Sequence, residues 1–397
     1  MMYEKEVKEK VTAILPQVVT WRRHFHEYPE LSGKEVKTSA YIQDVFKNLG
    51  IPYETGFFQN AVLGIIKGSH PGKTVALRAD MDALPVTELT GLPFASKNEG
   101  VMHACGHDGH MSILLGAAAV LNEMKDQIHG TVKIVFQPAE EEAGGAHAVA
   151  PAGRHIAASG KLDDVSEIYG LHVWPELPTG QVGLKPGALM AASDRFYVHI
   201  KGKSTHAAQP HNGTDALVAA AHFIIDVQSL ISREMNPMDN VVCTIGLMNA
   251  GTRYNVGVED AYLEGTCRTY RPELRDKMEA RLGEILKGLD VMFHTHSELN
   301  YVRGHSATIN TPEKIDFLKE VGKAYLGEEH ITEPEFPSMC AEDFSSYLEK
   351  FPGAFFWLGT GDGNTPALHN ASFAINESIL PLGITLEAAA ALEALSR

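Results

Sequence analysis

Residues 194–201, DRFYVHIK, alternate between polar and apolar side chains as a half-buried β-strand does. The elements that follow are, in order, a helix, two strands, an amphipathic helix and a strand, at 215–232, 240–248, 260–269, 272–289 and 291–301. This β-α-β-β-α-β order is the split βαβ pattern, which forms a complete small domain. We therefore predict an α+β domain inserted into the chain at residues 190–303.

The sequence on both sides of the insertion has a different pattern of predicted secondary structure. Short apolar runs alternate with helical stretches, and the runs lie at 61–67, 74–80, 131–137, 167–173 and 354–360. Strands separated by helices are typical of an α/β domain whose sheet is mixed and largely parallel. Residues 1–189 and 304–397 should form that domain together. Its ligands should lie beyond the carboxyl ends of the strands.

The composition limits the classes of function. The chain has 397 residues, of which 44% are hydrophobic, and a net charge of −16 from 34 basic and 50 acidic residues. Such a balance argues against nucleic-acid binding, which needs a basic surface. The most apolar stretch, 112–121, is about half of the ~20 residues that a spanning helix needs. The charged N-terminus lacks a signal region, so we expect a cytoplasmic protein that binds no membrane.

Polar side chains that bind metals occur where the predicted strands end. Cys105 and His107 are two residues apart in HACGHDGH, Glu141 follows the strand 131–137, His172 ends the strand 167–173, and His369 follows the strand 354–360. Thiolate, imidazole and carboxylate all bind zinc-like ions. A single Cys-x-His or a lone histidine is more often a turn or core residue. Five donors from distant segments instead indicate a catalytic site with two divalent ions.

Further polar clusters accompany these donors. Glu140 adjoins Glu141, so one carboxylate can bind a metal while the other takes a proton from water. The acids of the segment 78–82 (RADMD) can orient ligating histidines or merely cap a turn. In the inserted domain, His206 and His211 lie in a loop before a helix. Arg253 and Asn255 lie between two strands, where they can form a hairpin loop or meet an anionic substrate.

Six motifs occur together, in an order that resembles one enzyme family. They are WRRHFHEYPE at 21–30, LRADMDALP at 77–85, MHACGHDGH at 102–110, FQPAEE at 136–141, GLHVW at 170–174 and STHAA at 204–208. The chain resembles the metal-dependent amidohydrolases that include N-acyl-amino-acid amidohydrolases, hippurate hydrolases and hydrolases of indoleacetic acid–amino acid conjugates. These are relatives of aminoacylase and the dinuclear zinc peptidases. The resemblance covers nearly the whole chain.

The resemblance implies an architecture and a set of residue roles. It implies a catalytic domain interrupted by a ferredoxin-like lid that also makes a dimer contact. The implied metal ligands are Cys105, His107, Glu141, His172 and His369. Glu140 is implied to be the general base, His206 to support the oxyanion in a neighbouring subunit's site, and Asn255 to bind substrate.

Two positions depart from the family pattern. Glu142 stands where a glycine commonly follows the Glu-Glu pair, and Arg253 stands where a small residue is frequent. Glu142 can alter the choice of substrate or only face solvent. Arg253 can bind a substrate carboxylate. Neither departure removes an implied metal ligand.

We therefore predict metal-dependent hydrolysis of the amide bond of small N-acyl amino acids, with two Zn, Mn, Co or Ni ions per subunit. A homodimer or a homotetramer is expected. Three alternatives stay open: a dipeptidase or carboxypeptidase of the same superfamily, a non-catalytic metal-dependent binding protein, and a cysteine hydrolase that uses Cys105 as the nucleophile.

Overall fold

The computed structural model describes residues 3–141 and 151–397. Its α-helices, numbered in chain order, are α1 Glu4–Glu27, α2 Val36–Leu49, α3 His107–Glu123, α4 Ala152–Ala157, α5 Ala216–Ser229, α6 Pro272–Phe293, α7 Pro312–Tyr325, α8 Ser345–Leu348 and α9 Leu380–Leu395. Its strands are β1 Tyr53–Glu54, β2 Val62–Lys67, β3 His70–Asp80, β4 His129–Gln137, β5 Val165–Pro178, β6 Val182–Gly183, β7 Gly187–Met190, β8 Ala192–Lys201, β9 Val241–Ala250, β10 Asp260–Thr269, β11 His296–Arg303, β12 Thr308–Asn310, β13 Ile331–Thr332 and β14 Gly353–Gly361.

The larger sheet has the strand order β1-β2-β4-β3-β5-β14-β6-β13. Its central strands β4, β3, β5 and β14 are parallel, whereas β1, β2 and β4 pair antiparallel. Alternate side chains of these strands belong to two hydrophobic clusters, one on each face of the sheet. Helices α1, α2, α3, α7 and α9 contribute to one cluster, and α4 and α8 to the other. The sheet is thus mixed, with a parallel centre, as the sequence predicts.

Residues 192–303 form a second, fully antiparallel sheet in the order β11-β8-β10-β9. Helices α5 and α6 pack on it through a separate hydrophobic cluster whose buried members all come from residues 196–289. The order β8-α5-β9-β10-α6-β11 is the predicted split βαβ pattern. On this basis we propose residues 190–303 as the inserted domain.

The apolar sequence from residue 110 onward predicts a helix there, and helix α3 begins three residues earlier, at His107. Gly106 precedes it with φ 88°, and a Cβ at this position would lie 2.4 Å from Val173 Cγ2. Only glycine adopts this backbone conformation and close approach without strain. The early turn places His107 in the first turn of α3, beside β5.

The motif at 21–30 anchors α1 to the first turn of α3. Arg22 Nε lies 2.8 Å from Asp108 Oδ2, and His26 Nδ1 lies 2.8 Å from the same oxygen. His26 Nε2 also lies 3.1 Å from Glu88 Oε1. Burial raises the pKa of Asp108, but Arg22 and His26 outweigh it and hold that pKa well below its usual value. This ion cluster fixes the backbone next to His107.

In the described part of the chain, two helical segments have the length and apolar composition of a membrane span: Ala216–Glu234 and Glu377–Leu395. The second is 83% buried inside the protein, as a core helix is, whereas the first is 33% buried. Length and composition alone are weak evidence for a membrane span.

Candidate active site

The structure brings together the five donors that the sequence singles out. Their ligand atoms fall into overlapping groups, within each of which all atoms lie inside 4.8 Å of one another. The groups are Cys105 with His107 and His172, Cys105 with Glu141 and His369, and His107 with Glu140 and Glu141. Glu140 is therefore part of the same cluster, which we call the donor cluster.

Backbone carbonyl groups orient two of the imidazole rings. The Nδ1 of His107 lies 2.8 Å from the carbonyl oxygen of Asp82, and the Nδ1 of His172 lies 2.7 Å from that of Val173. Because a carbonyl only accepts, each Nδ1 carries a proton, and in the neutral ring each Nε2 then keeps its lone pair. Among the described residues, the buried Nε2 of His107 has no hydrogen-bond partner. Both rings thus present Nε2 to the cluster, where the Nε2 of His172 lies 3.4 Å from Cys105 Sγ.

Loops with unusual backbone angles present the remaining donors. His369 has φ 66° and Ala139, directly before Glu140, has φ 57°, both uncommon for residues other than glycine. The His369 N–H donates to the Ala104 carbonyl at 2.8 Å, and the Glu141 N–H donates to Asp82 Oδ2 at 2.9 Å. These bonds hold His369 Nε2 3.1 Å from Glu141 Oε1. Such strain persists where surrounding structure enforces it, frequently at functional sites.

The charges in the cluster suit divalent cations. Burial and the carboxylates of Glu141 and Glu140 raise the pKa of the Cys105 thiol well above its usual value. Burial also raises the pKa of Glu140 strongly, and Glu342 adds to the effect. A cation among these groups would offset the repulsion and favour thiolate and carboxylate. Together with the free Nε2 of His107, this donor set fits zinc-like ions.

The acids of the segment 78–82 lie next to the cluster. Asp80 Oδ1 lies 2.7 Å from His110 Nδ1, and Asp82 contacts His107 through its carbonyl oxygen. Burial lowers the pKa of His107, but Asp80 and Asp82 outweigh it and raise that pKa to about 10. Of the two interpretations left open by the sequence, the structure supports the orienting role over a turn cap.

Two carboxylates that no sequence motif indicates lie near Glu140. Glu342 and Asp343 group with Glu140 within 4.8 Å, and the Asp343 N–H donates to Glu140 Oε1 at 3.3 Å. In the sequence, these two carboxylates are marked by their adjacency in CAEDF (340–344). Their segment has no distinctive strand or helix pattern, so its place in the site depended on the tertiary fold.

A cavity of about 420 Å³ opens beside the donor cluster. It is lined by Cys105, Glu140, Glu141, His172 and His369. Strands β8 and β10 of the smaller sheet also contribute to its lining, through Ser193, Arg195 and Arg268. The His369 side chain is 54% exposed, so the site is open to small molecules. The volume falls within the range typical of small-molecule sites.

The structure does not bring the predicted residues of the inserted domain to this cavity. His206, Arg253 and Asn255 lie together in loops of the smaller sheet, where the Ala207 N–H donates to the Asn255 carbonyl at 3.1 Å. Arg253 lines a separate, larger cavity of about 550 Å³. Among the residues described, none of the three lines the cavity at the donor cluster. Their roles stay predictions, and Glu142 lies outside the described residues.

The chain matches Peptidase family M20/M25/M40 over residues 76–393. It is 39% identical to "N-acetyl-L-cysteine deacetylase" of Bacillus subtilis over 92% of this chain and 85% of that one. It is 36% identical to "Thermostable carboxypeptidase 1" of Saccharolobus solfataricus over 98% of each chain.

A solved structure supports the same assignment. A "Dinuclear Metal Binding Peptidase from M20 Family" of Bacillus subtilis has 34% identity and a TM-score of 0.85, over 97% of this chain and 99% of that one. This similarity confirms the predicted α/β fold. The chain therefore belongs to Peptidase family M20/M25/M40, and the prediction of a metal-dependent amidohydrolase is confirmed.

Proposed function

We propose that the protein hydrolyses the amide bond of small N-acyl amino acids, releasing a carboxylic acid and a free amino acid. One observation carries this proposal: the five metal-binding side chains and Glu140 converge beside a cavity of about 420 Å³. Deacetylases among its relatives support an N-acyl substrate. We also propose a cytoplasmic location, in keeping with a net charge of −16, which favours solubility.

We assign the metal site to Cys105, His107, Glu141, His172 and His369. Two Zn, Mn, Co or Ni ions per subunit suit this mixed set of sulfur, nitrogen and oxygen donors. When bound, such ions lower the pKa of water and polarise an acyl carbonyl. Asp80 and Asp82 position the ligands through His110 and His107. The backbone of Val173 holds His172 with its Nε2 toward the site.

Glu140 is the proposed general base. Its carboxylate lies within 4.8 Å of ligand atoms of Glu141 and His107, so it can reach a water held beside the assigned ligands. Its carboxylate accepts a proton from the attacking water and then donates it to the leaving nitrogen. A base must be ionised before it can act. The repulsion from Glu342 and Glu141 makes that ionisation dependent on positive charge in the donor cluster.

The inserted domain supplies the proposed dimer contact. Strand β9 lies at an edge of the smaller sheet, where Val242 and Leu247 are exposed. Helix α5 exposes Leu217, Val218 and Ile225, the last at 60%. An open strand edge next to an apolar surface is suited to pairing with a second copy about a twofold axis. A homodimer formed there, or a homotetramer built from it, would cover both features.

In such a dimer the partner subunit's His206 reaches the donor cluster and supports the oxyanion. This arrangement accounts for a lid histidine that does not line its own chain's cavity. An oxyanion donor is typically worth about 3–4 kcal/mol of transition-state stabilisation. Asn255 and Arg253, in the same loop region as His206, are the proposed substrate contacts across the interface.

Substrate cleavage by the metal-loaded protein tests the proposed reaction. N-acetyl, N-benzoyl and longer N-acyl amino acids should be hydrolysed at least about tenfold faster than dipeptides with a free amino group. A chelator should abolish this activity, and added divalent metal should restore it.

Each alternative gives a different result in this experiment. A preference for free dipeptides indicates a dipeptidase. Release of the C-terminal residue from N-acyl dipeptides indicates a carboxypeptidase, the activity named for one relative. Hydrolysis that survives chelation indicates a Cys105 hydrolase. Binding without turnover indicates a binding protein.

Mixed dimers test the proposed role of His206. His206→Ala and Glu140→Gln should each be nearly inactive, because each removes one part of every composite site. Random subunit exchange at equal amounts should restore about a quarter of the wild-type activity, since half of the dimers then contain one intact site of two. The matched control is His211→Ala, an exposed histidine of the same loop, which should stay active. Absence of recovery after verified exchange would refute the action of His206 across subunits.

A further inference from the structure

Two arginines of the smaller sheet reach the active-site cavity without a carboxylate partner. Arg195 lies on β8 and Arg268 on β10, opposite Thr266 and Ser193 respectively. Directly opposed residues share a face, so both arginines and Ser193 lie on the face toward the cavity. Within residues 3–141 and 151–397, neither arginine forms an ion pair.

Other arginines of the same domain contrast with these two. Arg275 holds Asp194 through Nε at 2.9 Å from both carboxylate oxygens. Arg281 contacts Glu234 at 2.7 Å, and Arg303 contacts Glu279 at 2.6 Å. Paired arginines are thus common in this domain. Among the described residues, Arg233 and Arg253 of this domain also lack a carboxylate partner, but of the unpaired arginines only Arg195 and Arg268 line this cavity.

The surroundings of Arg268 favour an anion. Its Nη1 contacts the Thr266 hydroxyl and lies 3.1 Å from the Cys267 carbonyl, which are neutral groups. Burial lowers the pKa of Arg268, Cys340 and Asp194 offset part of that effect, and Arg195 lowers the pKa further. Two like charges that converge on one cavity repel each other, and an anion bound between or beside them offsets that cost. Guanidinium groups bind carboxylates in bidentate geometry.

An independent observation also points to a ligand in this part of the cavity. His305 is 4% exposed and lines the same cavity. Its Nδ1 is buried and has no hydrogen-bond partner in the part of the chain that the structure describes. A buried polar atom left unsatisfied is costly, and a substrate oxygen would satisfy it.

We propose that Arg195 is a specificity-determining residue that binds a second carboxylate of the substrate, so that the enzyme prefers dianionic N-acyl amino acids. This inference rests on the proposed function. An N-acyl amino acid has at least one carboxylate, and one of the two cavity arginines suffices for it. The second arginine matches a second carboxylate, which belongs either to the acyl group or to the amino-acid side chain.

Pairs of isosteric substrates test the proposal. N-acetyl-L-glutamate is compared with N-acetyl-L-glutamine, and N-succinyl-L-alanine with its succinamoyl analogue. In at least one pair, the wild-type enzyme with metal bound should show about tenfold or greater preference in kcat/KM for the dianion. The pair that shows it identifies which end of the substrate carries the second carboxylate.

Arg195→Gln should reduce this preference to about twofold or less while leaving kcat/KM for the neutral analogue within about twofold of wild type. The matched control is Arg233→Gln, which removes the same charge from an exposed position of the domain outside the cavity and should keep the preference. The proposal is overturned if neither pair shows a preference, or if Arg195→Gln lowers both rates equally.

A binding measurement separates this inference from the proposed function. Calorimetry on the metal-loaded protein compares glutarate with its monoamide, neither of which contains an N-acyl amino acid. If no N-acyl amino acid is cleaved, the proposed function fails. Tighter binding of glutarate in wild type but not in Arg195→Gln would still support the arginine site, and equal binding of both compounds by wild type would overturn it.

Discussion

Glu140→Gln should lower kcat by about a thousandfold or more while the protein keeps its metal ions. Glutamine has the shape of glutamate but accepts no proton from water. The side chain is 7% exposed and held by the Asp343 N–H at 3.3 Å, so the amide fits without rearrangement. Removing one carboxylate from the group with Glu342 and Asp343 also relieves repulsion, so the thermal stability should not fall.

The measurement is kcat on an N-acyl amino acid together with metal content per subunit. Glu141→Gln is the matched comparison, because it changes the adjacent carboxylate, which we assign as a ligand. That variant should lose both activity and bound metal. Near wild-type kcat in Glu140→Gln would exclude Glu140 as the base. Parallel loss of metal in both variants would instead make Glu140 a ligand.

The sequence predicts the donor cluster well because its signals are local. Cys105 and His107 are close together in one motif, His172 lies near the end of one strand-like apolar run, and Glu141 and His369 follow two others. Parallel strands bring their carboxyl ends to one edge of a sheet. Local patterns plus that rule are enough to place these side chains near one another.

The second half of the cavity depends on contacts that no local pattern encodes. Arg195 looks like any polar residue of an alternating strand, and Arg268 ends another such strand. Only the position of the smaller sheet against the larger one turns both toward the donor cluster. Glu342 and Asp343 lie in an irregular segment, so the local sequence does not predict that they approach Glu140.

His206 shows a different limit to what the sequence and the fold of one chain can predict. Its motif predicts a catalytic contact, but within one chain it lies at a separate loop region. A residue that acts on a neighbouring subunit is not placed by a single chain's fold. The exposed edge of β9 and the apolar face of α5 are the features that connect the prediction to an assembly.

Arg78→Met should destabilise the protein by about 3–5 kcal/mol, the largest stability effect that we expect from a single substitution. The Arg78 side chain is fully buried and lies 2.8 Å from Asp80, 2.7 Å from Asp343 and 3.1 Å from Glu342. Burial lowers the pKa of this guanidinium, but the three acids outweigh it and raise that pKa well above its usual value. Methionine fills similar space and leaves three buried carboxylates without their cation.

Denaturant unfolding of the metal-free protein measures this loss without a contribution from bound ions. Arg78→Lys keeps the positive charge but not the planar guanidinium group, so its stability should lie between those of wild type and Arg78→Met. It also provides a measurable variant if Arg78→Met does not fold. If Arg78→Met lowers the free energy of unfolding by less than about 1 kcal/mol, the three acids are neutralised in another way.

A double variant separates charge from packing. If the cost of Arg78→Met comes from the carboxylates left behind, then adding Asp343→Asn should recover part of it, because one unpaired charge is removed. If the cost comes from lost packing, the two effects should add. Since Asp343 also donates its N–H to Glu140, recovery of stability without recovery of kcat would show that this buried ion network positions the base as well as supporting the fold.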